Sequence, residues 1–202
     1  PYYTNNLVSM GRATPKYTLG FNTNIKFKNF NAYAVMDYRT GHKFYSGTMQ
    51  YFTFSGSLEQ SASFDRTQGG YVIPNSVYQD SSGNYVANTS IKSGGDSYPS
   101  VVAYYGGTYR NIGENFILDA TAFKVRELGL GYSLSKEASN SIGLKGLSIG
   151  VFARNPFYKF AKENKGYADP ETSIAGGNLF GITGTNQYPS TKVYGINTTI
   201  NF

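Results

Sequence analysis

Lys16-Tyr17-Thr18-Leu19-Gly20-Phe21-Asn22-Thr23-Asn24-Ile25-Lys26-Phe27 is the stretch on which the fold turns. Tyr17, Leu19, Phe21, Thr23, Ile25 and Phe27 fall on one face of an extended chain. Thr18, Gly20, Asn22, Asn24 and Lys26 fall on the other. This is the period-two alternation of a strand. One face is apolar and one is polar or glycine over about a dozen residues, a length and pattern that suit a tilted membrane crossing.

Similar segments recur along the chain. After the short link Lys28-Asn29, a second strand is expected near residues 30–45. Phe30, Ala32, Ala34, Met36 and Tyr38 share its apolar face, and Tyr33 and Val35 sit among the polar set. A third strand is expected at 123–134, where Leu128, Leu130, Tyr132 and Leu134 alternate with Glu127, Gly129, Gly131 and Ser133. A fourth covers 146–155. A fifth covers 192–202, with Tyr194, Ile196, Thr198, Ile200 and Phe202 on one face.

The connections alternate in length. The first and third are short. The second and fourth, about residues 46–115 and 156–190, are long and rich in Gly, Ser and Tyr. Turn signals stand at Gly69-Gly70, Ser81-Ser82-Gly83-Asn84, Gly94-Gly95-Asp96 and Gly106-Gly107, and short hairpin pieces are expected at Gly70–Ile73 and Tyr85–Ala87. Loops this long are unusual in a compact soluble domain. Membrane barrels have short periplasmic turns and long extracellular loops. The expected fold is therefore all-β: about five strands of an antiparallel transmembrane β-barrel with long extracellular loops.

Composition agrees with this class. Among 202 residues there are 19 Tyr, 14 Phe and 24 Gly, with no Trp and no Cys. Tyr, Phe and Thr favour strands, and Gly favours turns. The lack of cysteine excludes disulfides, thiolate metal sites and a cysteine nucleophile. The net charge is +6, but Lys and Arg are scattered singly rather than massed as a nucleic-acid patch, so no nucleic-acid partner is expected. No run of 18 apolar residues exists to make a transmembrane helix. Pro1-Tyr2-Tyr3-Thr4-Asn5-Asn6 has neither the charged start nor the apolar core of a signal peptide, so any export signal is expected on residues not present here.

Four stretches, in this order, resemble the SusC-like (SusC/RagA) TonB-dependent outer-membrane transporters of the Bacteroidetes. They are Thr14-Pro15-Lys16-Tyr17-Thr18-Leu19-Gly20-Phe21, Ala122–Leu134, Phe152-Ala153-Arg154-Asn155-Pro156-Phe157 followed by Gly166-Tyr167-Ala168-Asp169-Pro170-Glu171, and Tyr188-Pro189-Ser190-Thr191-Lys192. Asn155-Pro156 stands where the family usually has Asn-Leu, Ala168 is an inserted residue, and Lys124-Val125-Arg126-Glu127 varies the family's basic-apolar pattern. The resemblance implies a barrel of about 22 strands around a plug, of which this chain holds only about five C-terminal strands. The plug and the N-terminal segment that engages TonB are absent here. It also implies import of a glycan, oligosaccharide or peptide, a SusD-like surface lipoprotein, the TonB complex and the barrel-assembly machinery as partners, and an outer-membrane location with the C-terminus periplasmic. A passive porin and a soluble secreted carbohydrate-binding β-domain are the alternative readings.

Candidate sites follow. Tyr194, Ile196, Ile200 and Phe202 resemble a terminal barrel-assembly signal, read by strand addition to a sheet edge. The plainer reading of Phe202 is an interfacial aromatic facing lipid. Tyr104, Tyr105, Tyr109 and Arg110 either contact a substrate, stacking on sugars or gating the lumen, or pack the loop. His42, the single histidine, lacks a Ser or Asp partner in sequence and reads as a solvated loop residue, so no enzyme is expected. Asp169, Glu171 and Asp96 read as turn chemistry, since a hard cation needs about six oxygens. Gly129-x-Gly131 and Gly181-x-x-Gly184 lack the context of a phosphate loop. No metal and no cofactor are expected.

Overall fold

The structure is a computed structural model that describes residues 6–62, 71–92, 102–174, 180–188 and 190–202. The turn signals at Gly69-Gly70 and Gly94-Gly95-Asp96 lie outside these residues, as do Pro1–Asn5 and Pro189. Five long strands form one antiparallel meander: β1 (Tyr17–Phe27), β2 (Phe30–Thr40), β7 (Ala122–Ser133), β8 (Gly146–Phe160) and β10 (Val193–Asn201), paired in that order. Each strand pairs with its neighbour in this series.

The register fixes two faces. Leu19 pairs with Tyr38, Phe21 with Met36 and Ile25 with Ala32. The same face continues through Leu128 and Leu130, Ala153 and Val151, and Tyr194 and Ile196. It is apolar, and Leu19, Phe21, Ile25, Leu130, Val151 and Ile196 are each at least half exposed. A contiguous apolar face of this kind marks a surface made for lipid or a partner.

The opposite face is polar and closely fitted. The Tyr33 ring lies over Gly129 on the neighbouring strand, where a Cβ would strike the ring. The Tyr33 hydroxyl donates to Glu127 Oε1 at 2.8 Å. The Phe152 ring covers Gly195 in the same way. These glycines therefore serve as floors for cross-strand rings, and Tyr33 belongs to the polar face despite its aromatic body.

At one end the connections are tight. Lys28-Asn29 turns β1 into β2 with Lys28 at φ 51°, closed by the Phe27–Phe30 pair. A short helix, α2 (Lys136–Ser141), capped by Ser135 accepting from the Ala138 amide, joins β7 to β8. At the other end the two long loops meet in a small folded cap. β3 (Lys43–Ser46) pairs antiparallel with β6 (Ile117–Asp119) from the first loop and parallel with β9 (Ile182–Thr183) from the second. The helix α1 (Gly47–Ser55) starts on Ser46, whose hydroxyl accepts from the Met49 amide, and stops at left-handed Gly56. Phe44, Met49, Leu58, Phe116, Leu118 and Ala120 form the cap core. Phe116 is fully buried, a side-chain burial that contributes about 1.5–3 kcal/mol.

Two strand ends differ from the sequence expectation. The second strand stops at Thr40, not near 45, because Gly41 takes φ 78° and redirects the chain into β3. The fourth strand runs on to Phe160 rather than ending at Asn155. Asn155 at φ 49° and Pro156 form a bulge that bends the strand without ending it. Of the hairpin pieces, Tyr85–Ala87 (β5) pairs with Val77–Gln79 (β4) across a turn ordered by the Asp80 carboxylate, which accepts from the Ser82 and Asn84 amides. Tyr71–Ile73 has no regular structure, and Gly106-Gly107 lie in a π-helical segment, Tyr104–Tyr109, rather than a turn. The helix α1 has no amphipathic sequence signature. Its ends are set by caps and its position by the cap core.

Gly129→Leu should force the Tyr33 ring off the five-stranded sheet, called the wall below, and break its bond to Glu127, lowering stability by about 1–3 kcal/mol. Gly131→Ala meets only ordinary contacts, with Asn31 and Ile149 oxygens at 3.8 and 3.9 Å, and should leave stability near wild type. Denaturant titration of the two variants side by side checks this.

Candidate functional site: a charge network at the loop end of the wall

Six charged side chains converge where the polar face meets the long loops. The strand β2 supplies Asp37 and Arg39, β7 supplies Lys124 and Arg126, and the second loop supplies Asp169 and Glu171. Backbone register puts them there. Asp37 pairs directly with Lys124. Arg126 is an extra residue: Val35 faces Glu127 and Met36 faces Val125, so Arg126 has no partner on β2. On its other side it faces the Asn155-Pro156 bulge. A bulged residue is free of the strict alternation, and here it aims a guanidinium at the polar face.

The contacts are short and charge-assisted. Arg126 donates through Nε to Asp37 Oδ1 at 3.0 Å and through Nη2 to Oδ2 at 2.6 Å, a two-pronged grip. Its Nη2 also reaches Glu171 Oε1. Lys124 Nζ meets both Asp169 oxygens, at 2.7 and 2.6 Å, and Glu171 Oε2 at 2.6 Å. Arg39 Nη1 lies 3.0 Å from Glu171 Oε1. The Lys124 and Asp169 side chains are only 6% and 8% exposed, so neither charge is compensated by bulk water. Burial alone would raise the Glu171 carboxyl, but hydrogen bonds from Arg126 and Lys124, with their charges, hold it down at about 2.

Asp169 does more than shape a turn. Its Oδ1 accepts from the Glu171 amide at 3.0 Å and its carbonyl from the Thr172 hydroxyl at 2.7 Å, which is the turn chemistry read from sequence. The same carboxylate also pins the loop to the wall through Lys124. Ser190 Oγ donates to Asp169 Oδ2 at 2.5 Å. A cavity of about 120 Å³ opens against Lys124, Arg126, Asp169 and Glu171. Beside it lies one of about 180 Å³ with Tyr158, Phe160, Tyr167 and Tyr188 in its lining. The Tyr158 and Phe160 rings stack at 4.7 Å.

The substrate-contact and assembly-signal candidates read from sequence lie elsewhere. Tyr104 and Tyr105 are 7% and 5% exposed and pack on each other, on Tyr71 and on Tyr109. The Tyr105 hydroxyl donates to the Gln60 carbonyl at 3.1 Å, and burial pushes its pKa up. The Tyr109 ring meets Phe116, and Arg110 stacks over Phe54 at 5.0 Å. Tyr194, Ile196 and Ile200 lie on the apolar face of the edge strand β10, with Phe202 following; all four are exposed. His42 is buried, not solvated as its loop position suggested. It sits at the joint between wall and cap, where its carbonyl accepts from the Ala120 amide. Burial lowers its pKa, an effect that Asp119 opposes.

No protein-family profile matches the chain, and no curated protein sequence matches it. Solved structures do. A structure of the RagAB peptide importer in the "closed-closed" state matches 99% of this chain at 18% identity with a TM-score of 0.59. The "open-open" state matches 94% at 18% identity with a TM-score of 0.51, and a structure of the RagAB peptide transporter 95% at 19% identity with a TM-score of 0.53. The chain spans 17–19% of the length of those chains. At this identity the likeness establishes the fold.

Lys124→Met leaves Asp169 buried without its cation and should cost about 3–5 kcal/mol of local stability. The pH response has a definite sign. Glu171 is held below its ordinary value of 4.5, so the anchoring it contributes is complete above that pH and is lost as pH falls toward 2. Protection of the amides at residues 167–172, relative to their intrinsic exchange rates, should fall over this acid window in the wild type and be low at neutral pH in Lys124→Met.

Proposed function

We propose that this chain forms part of the wall and extracellular cap of an outer-membrane importer of the SusC-like, TonB-dependent kind. The observation that carries the reading is the meander itself. Five strands in sequence order share one apolar, exposed face, and their connections are short at one end and long at the other. Strands of 9–15 residues are long enough to cross the hydrocarbon when tilted. The fold likeness to RagAB structures supports the same reading.

In this account the apolar face meets lipid and the polar face lines the lumen. An open five-stranded sheet would leave edge hydrogen-bonding groups unsatisfied in hydrocarbon. The remaining strands of the barrel therefore flank β1 and β10, and a plug fills the lumen. The cap lies outside the cell and the C-terminus in the periplasm. A SusD-like surface lipoprotein engages the extracellular side, TonB acts through the plug-bearing N-terminal part, and the assembly machinery reads the terminal strand ending in Phe202. The cargo is a nutrient of the peptide or oligosaccharide class. The reading assigns the chain no enzymatic role.

Uptake decides the matter. In a strain that grows on the cargo through this protein, deleting TonB should abolish growth while leaving the barrel in the membrane. Continued uptake without TonB would point instead to a passive porin. A chain recovered in soluble form, without detergent, would point to a secreted binding domain.

A further inference from the structure

The charge network is divided unevenly between its two carriers. The wall contributes Arg39, Lys124 and Arg126 against Asp37, three positive charges and one negative, a net +2. The loop contributes Asp169 and Glu171, a net −2. The wall therefore carries a preformed cationic site, and the loop's two carboxylates fill it. We propose that this site is a receptor for a solute bearing paired carboxylates, a short acidic peptide, and that Asp169-Pro170-Glu171 occupies it as an internal stand-in until the solute displaces it. The inference rests on the import reading for its purpose but not for its test.

Three features of the geometry carry it. First, the Glu171 carboxylate is gripped on both oxygens, Oε1 by Arg126 and Arg39 and Oε2 by Lys124. Cations converging from two strands on one carboxylate make a recognition geometry and not a single tether. Second, the site is organised without the loop. Arg126 is aimed by its bulge and held by both oxygens of Asp37, which also lies 3.5 Å from Arg39. Third, there is space beside the occupant. The cavities of about 120 and 180 Å³ adjoin it, and the stacked Tyr158 and Phe160 rings offer an apolar platform for the body of a peptide.

The exchange is balanced in charge. A buried cation left without a partner is strongly disfavoured, so the loop cannot simply leave. A solute that brings two carboxylates replaces what the loop removes. A neutral solute cannot, nor can one with a single carboxylate make all the contacts. The spacing of the displaced pair, two residues apart, sets the spacing of the solute's acidic groups.

The probe is an end-capped Asp-Pro-Glu peptide, with end-capped Asn-Pro-Gln as its neutral control. Both are titrated against the native polypeptide purified in detergent. In the Asp169→Asn/Glu171→Gln variant the stand-in loses its charge, and Asp-Pro-Glu should bind at least tenfold more tightly than to wild type. That binding should weaken steeply with added salt, and the control should bind neither protein. In the wild type, saturating Asp-Pro-Glu should speed hydrogen exchange at residues 167–172, a readout that stands even if the variant misfolds. If the folded variant binds the acidic peptide no better than wild type, or if saturating peptide leaves wild-type exchange unchanged, the network is a fixed structural clamp and the proposal is wrong. Either result leaves TonB-dependent uptake untouched, so the import reading is judged separately.

Discussion

A strand that crosses hydrocarbon has to satisfy its backbone hydrogen bonds sideways and show apolar side chains outward. Under the proposed import reading, that constraint shapes this chain. It accounts for the strict alternation in β1, for the direct pairing of consecutive long strands, and for an apolar face that none of the described residues covers. It also explains where the conventional core is. With one sheet face apolar yet exposed and the other polar, the larger buried apolar cluster sits in the cap, around Phe44, Leu118 and Phe116. There the two long loops fold on each other through β3, β6 and β9.

The joint between wall and cap is polar. Carboxylates from the second loop meet cations rooted in β2 and β7, and a bulge frees Arg126 to take part. Lys124 and Asp169 are buried deeply enough that each needs the other. Such pairing gives little net stability relative to an apolar contact but strongly penalises a wrong arrangement. Its effect is therefore to fix one position of the loop over the polar face. The pairing of Tyr33 with Gly129 and of Phe152 with Gly195 acts similarly along the wall, locking register where the polar face alone would specify it weakly.

The wall was legible in sequence because a period of two is a local signal. Leu19, Phe21 and Ile25, or Tyr194, Ile196 and Ile200, declare their common face within a few residues. The turn at Ser81–Asn84 was legible for the same reason. Bulges were not. Asn155-Pro156 looks like a terminator, and only pairing with β7 shows that the strand continues to Phe160. The network was hidden because its members are scattered: Asp37 and Lys124 are remote in sequence, and register alone brings them opposite each other. Charges on the polar face at one end of two strands, with an Asp-Pro-Glu turn in the adjoining loop, were the available hint. Tyr104 and Tyr105 drew notice as a ring-rich run, and composition alone cannot tell rings that pack on one another from rings that wait for a solute. The helix α1 was missed because caps and tertiary packing, rather than a helical apolar period, define it.

The sidedness of the wall is the claim from which location, lumen and cap all follow. These 202 residues contain no cysteine, so a single reporter placed among them is the only thiol of this stretch. Ser82→Cys puts a thiol at the tip of the β4–β5 hairpin in the first long loop, and Asn140→Cys puts one in α2, in the short connection between β7 and β8. A membrane-impermeant maleimide applied to intact cells should label Cys at position 82 and not at 140, with both labelled once the outer membrane is permeabilised. Equal labelling of the two in intact cells, or labelling of 140 alone, would contradict the account.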